Sequence, residues 1–196
     1  MKLHRLENHE IEVISTLFSE SFFEDPLFVY FFPEPQTRIK KAKSFFKAEL
    51  MRCQSFSFTN EDLSGAIVFQ KAHDKIRRIR INEAFNLIQT VGLSSIVKAL
   101  TYQRFKDRLI RHHDLKKFDS LRLICIKTEA RNQGLATKMI QAFLTEKTFL
   151  ETQNPSNLSF YKKLGFKLES TSNFLISAKI NKPSLTHMVM VIDPIG

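Results

Sequence analysis

Residues 130–140 read ARNQGLATKMI, and the glycine at their centre decides how the fold is read. The chain has only five glycines in 196 residues. Gly134 stands between the apolar run SLRLICI (120–126) and the amphipathic run GLATKMIQAFL (134–144), so something there needs it. A strand that turns through a tight loop into a helix supplies the reason. Such a turn exposes the unpaired N–H groups of the first helical turn, which together favour an anion. Small residues at Gly134 and Ala136 let a phosphate come close to the backbone. The loop has one glycine, whereas the dinucleotide fingerprint needs three and the Walker pattern two plus a lysine, so neither fits. The expected ligand carries a phosphate or pyrophosphate.

Working outward, residues 8–22 place Ile11, Ile14, Phe18 and Phe22 at helical spacing behind Asn8 as the expected cap. FFEDPLFVYFFPEP (22–35) is dense in aromatics and broken by prolines, which predicts a short helical turn or loop packed on apolar surface. It either lines a pocket or fills the core. Residues 37–53 predict a second long amphipathic helix. SFSFTN and GAIVFQK then read as a strand hairpin, and residues 82–113 as two helices broken near Gly92, with Ile96, Leu100, Phe105 and Leu109 facing inward. After the central loop, Leu135, Met139, Ala142 and Phe143 mark the buried face of a helix. FLETQ, PSNLSFYKKL, FKLES and MVMVID complete the order as strand, helix, strand and strand. This alternation predicts an α/β sandwich around one mixed sheet.

The hydrophobic share of 43% is enough to build a core, which excludes a disordered chain. No apolar stretch approaches the ~20 residues that span a bilayer. No membrane partner is expected, and the chain is expected to be soluble and cytoplasmic. Cys53 and Cys125 have no neighbouring ligands at zinc spacing, so no metal and no disulfide framework is expected. Net charge is +10, and between Lys71 and Lys117 twelve Lys/Arg face four Asp/Glu. That segment is either a patch for an anionic partner or a solvated helix face.

Arg131-Asn132-Gln133-Gly134-Leu135-Ala136 resembles the R/Q-x-x-G-x-G/A acetyl-CoA signature of the GCN5-related N-acetyltransferases, the GNAT family. ICIKTEAR is similar to the family's strand entry, with Thr128 in place of a proline and Glu129 kept. FLETQNPSNLSFYKKLGF is similar to its second motif, through Gly165 and Phe166. DPLFVYFFP resembles a subgroup that includes puromycin acetyltransferase-like proteins. The resemblance covers about residues 118–169. It implies one GNAT-like domain over residues 1–196, a mixed central sheet with helices on both faces and a helical insertion at about 76–117.

What it further implies is transfer of an acetyl group from acetyl-CoA, as cosubstrate, to a primary amine of a small molecule or peptide. Ile124, Cys125 and Ile126 would offer backbone hydrogen bonds to the pantetheine arm from a strand splayed away from its neighbour. Arg131, Asn132, Gln133, Gly134, Leu135, Ala136 and Thr137 would hold the pyrophosphate. Asn157 would contact the cofactor arm, or else satisfy local backbone. Tyr161 would sit near the sulfur, where a phenol can protonate the leaving thiolate. No motif assigns the base: Asp119, Glu24 and Asp25 are candidates, and solvated surface acids are the alternative for each. A non-catalytic acyl-CoA-binding module of the same fold is the competing reading. Nucleic acid ranks below both, because the basic segment carries no groove-reading or stacking motif. A homodimer is compatible with the fold.

Overall fold

The computed structural model describes residues 2–176 and 184–194. Within them the chain runs β1 (Leu3–Arg5), α1 (Ile11–Ser21), α2 (Pro26–Phe31), α3 (Pro35–Cys53), β2 (Ser57–Asn60), β3 (Gly65–Gln70), α4 (Ile81–Val91), α5 (Leu93–His112), β4 (Asp119–Ile126), α6 (Leu135–Gln141), β5 (Thr148–Thr152), α7 (Leu158–Lys163), β6 (Lys167–Leu175) and β7 (Ser184–Ile192). The strands form one sheet in the order β1-β2-β3-β4-β5-β7-β6. Only β4 and β5 pair in parallel; the other neighbours are antiparallel.

Alternation along β3 separates two cores. Ala66 and Val68 join α1, α2 and α3 on one face, while Ile67 and Phe69 meet α6 and α7 on the other. Phenylalanine is the commonest residue of the first core, where Phe46 stacks between Phe18 at 5.1 Å and Phe28 at 4.6 Å. Each such ring contributes about 1.5–3 kcal/mol by leaving water. The Pro-broken aromatic stretch both fills this core and, through its first residues, reaches a cleft described below.

β4 departs from strict alternation. Val68 faces Leu123 across the ladder but Phe69 faces Leu121, so Arg122 is an extra residue, a β-bulge. Leu121 therefore lies in the α6/α7 core, and after the bulge Ile124 and Ile126 return to it while Leu123 and Cys125 face the helical core. β4 and β5 pair only from Asp119↔Thr148 to Leu121↔Leu150. Beyond that they part, and Ile124, Cys125 and Ile126 keep β3 on one edge only. This is the splay expected from the sequence.

Three local readings need correction. Asn8 does not cap α1; Glu10 holds the cap position, and its carboxylate accepts from the Glu7 N–H at 2.8 Å. Asn8 instead accepts from Gln54 Nε2. α6 stops at Gln141, so Ala142 is exposed and Ile140 joins Met139 in the core. Phe143 leaves the helix to pack on Phe58 and Phe69. Leu100 faces solvent, because α5 docks through Tyr102, Ile96 and Phe105. The Tyr102 hydroxyl lies 2.6 Å from His187 Nδ1, and Lys106 pairs with Glu151 at 2.5 Å, which fixes α5 to β7 and β5.

Arg38 is buried although it is an arginine, and its place explains why. Its guanidinium donates to the carbonyls of Phe32 (2.8 Å), Pro33 (2.9 Å) and Phe23 (3.2 Å), closing the loop that carries α2. Proline-rich segments leave carbonyls without partners, and one arginine fork satisfies three of them. Arg38→Ala is expected to cost about 3 kcal/mol by stranding these groups, read as a lowered midpoint in urea.

Candidate active site

A cleft of about 640 Å³ opens where β4 and β5 part. Its floor is Ile124, Cys125 and Ile126, and one wall is the loop from Ala130 into α6. Arg131, Asn132, Gly134, Leu135, Ala136 and Thr137 all border it. Asn154, Asn157, Phe160 and Tyr161 form the opposite wall, and Ser21, Phe22, Glu24 and Asp25 close one side.

The loop's backbone explains its glycine. Asn132 (φ +61°) and Gly134 (φ +75°) are both left-handed. A Cβ at Gly134 would meet nothing within 4 Å, so the position needs glycine for its conformation, and the space above it is open. Both readings of the sequence, the tight turn and the bare surface, describe the same residue. Arg131 turns its side chain back, donating from Nε to the Ile126 carbonyl at 3.1 Å and so tying the loop to the strand end. Gln133 does not border the cleft. Its side-chain amide donates to the Glu129 carbonyl at 3.0 Å, which leaves its backbone N–H as the group it could offer a phosphate.

Across the cleft, Tyr161 is buried, and burial with the added charge of Asp25 pushes its phenol up to about 12. Its ring packs against Phe160 and Phe166. Asn157 Nδ2 reaches Thr152 Oγ1 at 3.4 Å, a long bond that steadies the side chain beside the cleft. Asn154 accepts from Ser156 N and caps the turn leading into α7. The Cys125 thiol is held protonated by burial, so it is no nucleophile at neutral pH.

The three acids separate clearly. Asp119 begins β4, at about 20 Å of strand from Ile126, and is consumed by Lys71 (2.8 Å) and the Ala72 N–H (2.9 Å). Glu24 borders the cleft but is solvated. Asp25 is half-buried at the cleft and caps α2 by accepting from Leu27 N at 2.9 Å. Burial pushes its carboxyl up to about 6, against the Leu27 and Phe28 N–H groups that pull it down. A carboxylate that titrates near neutrality in a cleft has the properties of a general base. Motif reading could name Asp25 only as one of three, because what singles it out is its burial.

Comparison with known proteins agrees with this geometry. Residues 96–168 match the family model described as an acetyltransferase (GNAT) domain. No curated protein matches the chain by sequence. The polyamine N-acetyltransferase of Drosophila melanogaster shares 12% identity and a TM-score of 0.60, over 98% of this chain and 99% of that one. Arylalkylamine N-acetyltransferase 2 from Aedes aegypti shares 17% identity at a TM-score of 0.54, over 98% of each chain. The C-terminal condensation domain of Ebony, solved with beta-alanyl-dopamine, shares 12% identity at a TM-score of 0.64, also over 98% of each. At such identities the likeness speaks for the fold. The segment that matches the GNAT acetyltransferase model spans β4, the Gly134 loop and the helix that bears Tyr161, so the likeness to that family falls on the residues that line the cleft.

Proposed function

We propose that this chain is an N-acetyltransferase that moves an acetyl group from acetyl-CoA to a primary amine of a small molecule or peptide. The observation that carries this is the meeting, in one cleft, of an unpaired strand edge, the Gly134 loop, a protonated Tyr161 and a near-neutral Asp25. Acetyl-CoA supplies the thioester carbonyl that the amine attacks. The chain's own groups do the rest. The free edge of Ile124–Ile126 offers backbone hydrogen bonds to the extended cofactor arm and to the carbonyl oxygen as it gains charge. Backbone N–H groups from Arg131 to Thr137 face the pyrophosphate. Asp25 takes the proton that the nitrogen sheds as the C–N bond forms, and Tyr161 gives one to the departing thiolate.

The acceptor end suggests what kind of amine enters. Phe22 and Phe160 give apolar walls, and Glu24 with Asp25 gives negative charge, so a cationic amine with an apolar body fits best. The polyamine and arylalkylamine enzymes among the structural neighbours act on amines of these general kinds. One GNAT-like domain over residues 1–196, a helical insertion at about 76–117 and a cytoplasmic location, where acetyl-CoA is made and used, belong to the same reading.

Isothermal titration with acetyl-CoA, with CoA and NAD as comparison ligands, tests the cofactor. Micromolar or tighter binding of acetyl-CoA and CoA, with none of NAD, is expected. Gly134→Val forces a β-branched residue into left-handed backbone, a strain of about 1–3 kcal/mol, and should weaken that binding about tenfold or more. An unchanged dissociation constant in the folded variant would show that the loop is not the phosphate site.

A further inference from the structure

α4 and α5 dock on the protein by one face each, yet both are apolar on the other face as well. α4 turns Leu87 and Val91 inward, and α5 turns Ile96, Ala99 and Tyr102 inward. On the outer face of α4, Ile81, Phe85 and Ile88 follow at i, i+4, i+7, with Ile81 91% and Phe85 59% exposed. On α5, Leu93, Val97 and Leu100 repeat the spacing, with Leu93 65% exposed. At 100° per residue each trio lies within an arc of about 60°. Single exposed leucines are ordinary, but two aligned stripes flanking one elbow are not. Gly92 (φ +86°) makes that elbow.

The charge around the stripes says what covers them. Along α5 the same stripe continues as Arg104, Arg108 and Arg111, all exposed, with Asp107 the acid between them. Exposed Lys75, Arg78 and Arg80 lead into α4. Among the described residues, none of these six cations lies in an ion pair. A second copy of the chain would bring the same arginines together, and they would repel. A nucleic acid would meet the cations but press Ile81, Phe85 and Leu93 against phosphate. An anionic bilayer satisfies both features, since headgroups neutralise the cations while the apolar side chains reach the acyl boundary.

We propose that the α4–α5 elbow docks on anionic lipid surfaces, with Ile81, Phe85, Leu93 and Val97 entering the headgroup–acyl boundary. From sequence the basic segment can attract an anionic partner, an anionic membrane among them, but no membrane partner is expected; the exposed apolar stripes are what the structure adds, and among the described residues no helix is long and apolar enough to cross a membrane. The test is flotation of the full chain with phosphatidylcholine vesicles, with and without phosphatidylserine. The wild-type protein should float with the anionic vesicles only, and less as salt rises. An Ile81→Asn, Phe85→Asn variant should partition about tenfold less while keeping its melting temperature. Arg104→Glu with Arg108→Glu should weaken binding and flatten its salt dependence. If the first variant does not fold, Leu93→Asn with Val97→Asn reads the same surface from α5. Equal partitioning of wild type and a folded apolar variant would overturn the proposal, as would no binding to anionic vesicles at low salt. A dimer in sedimentation velocity that Phe85→Asn dissolves, without vesicle binding, would reassign the face to a second copy. Retention on duplex DNA without vesicle binding would likewise overturn it.

Discussion

Asp25→Asn should lower kcat/KM for amine acetylation by about two to four orders of magnitude near pH 7, the usual contribution of a positioned base. The asparagine Oδ1 can still accept from Leu27 N, so the α2 cap survives and the loss reports on chemistry. The pH profile makes the assignment specific. Burial raises the Asp25 carboxyl to about 6, and only its ionised form can take a proton. The wild-type rate should therefore climb as pH rises through about 6, and this limb should vanish in the variant. A further rise at the acceptor's own pKa is common to both proteins. Persistence of the lower limb in Asp25→Asn would assign the base elsewhere, with Glu24 next to be tested.

Tyr161→Phe is expected to cut kcat by a similar factor of about 10²–10⁴ and to leave acetyl-CoA affinity within about twofold. The phenylalanine keeps the ring that packs on Phe160 and Phe166, so the protein should stay folded. Because burial holds the phenol at about 12, the acid stays protonated at neutral pH, and the wild-type rate should show no falling limb until strongly alkaline conditions. Equal turnover in the two proteins would remove Tyr161 from the acid role. A loss of affinity with unchanged kcat would instead make it a binding residue.

Much of this was legible in the sequence because short-range signals coincide with the site. Gly134, Ala136 and Tyr161 lie in segments whose spacing alone announces strand, loop and helix, and the structure brings them to one cleft. What sequence could not show depends on neighbours far along the chain. Asp25 differs from Glu24 and Asp119 by burial, which is set by packing of α2 and not by any local pattern. Arg38 holds the loop before it from 15 residues away, and an arginine in an amphipathic helix gives no sign of facing inward. Leu100 failed because α5 is apolar on two faces, and periodicity does not say which face meets the protein.

The bulge at Arg122 has a consequence for how this chain can change over time. In a regular strand side chains owe their side of the sheet to the number of residues before them, but a bulge absorbs one residue. Replacing Ile124 or Ile126 with another aliphatic residue alters the shape of the cleft floor. Losing Arg122 would do less to the faces: Leu121 and Leu123 already lie on opposite sides of the sheet, so removing the extra residue restores plain alternation and leaves Leu123, Ile124, Cys125 and Ile126 where they are. β4 should therefore accept the loss of a residue at the bulge more readily than beyond it, and lineages descended from this chain should vary in strand length at that point while conserving the length from Leu123 to the loop.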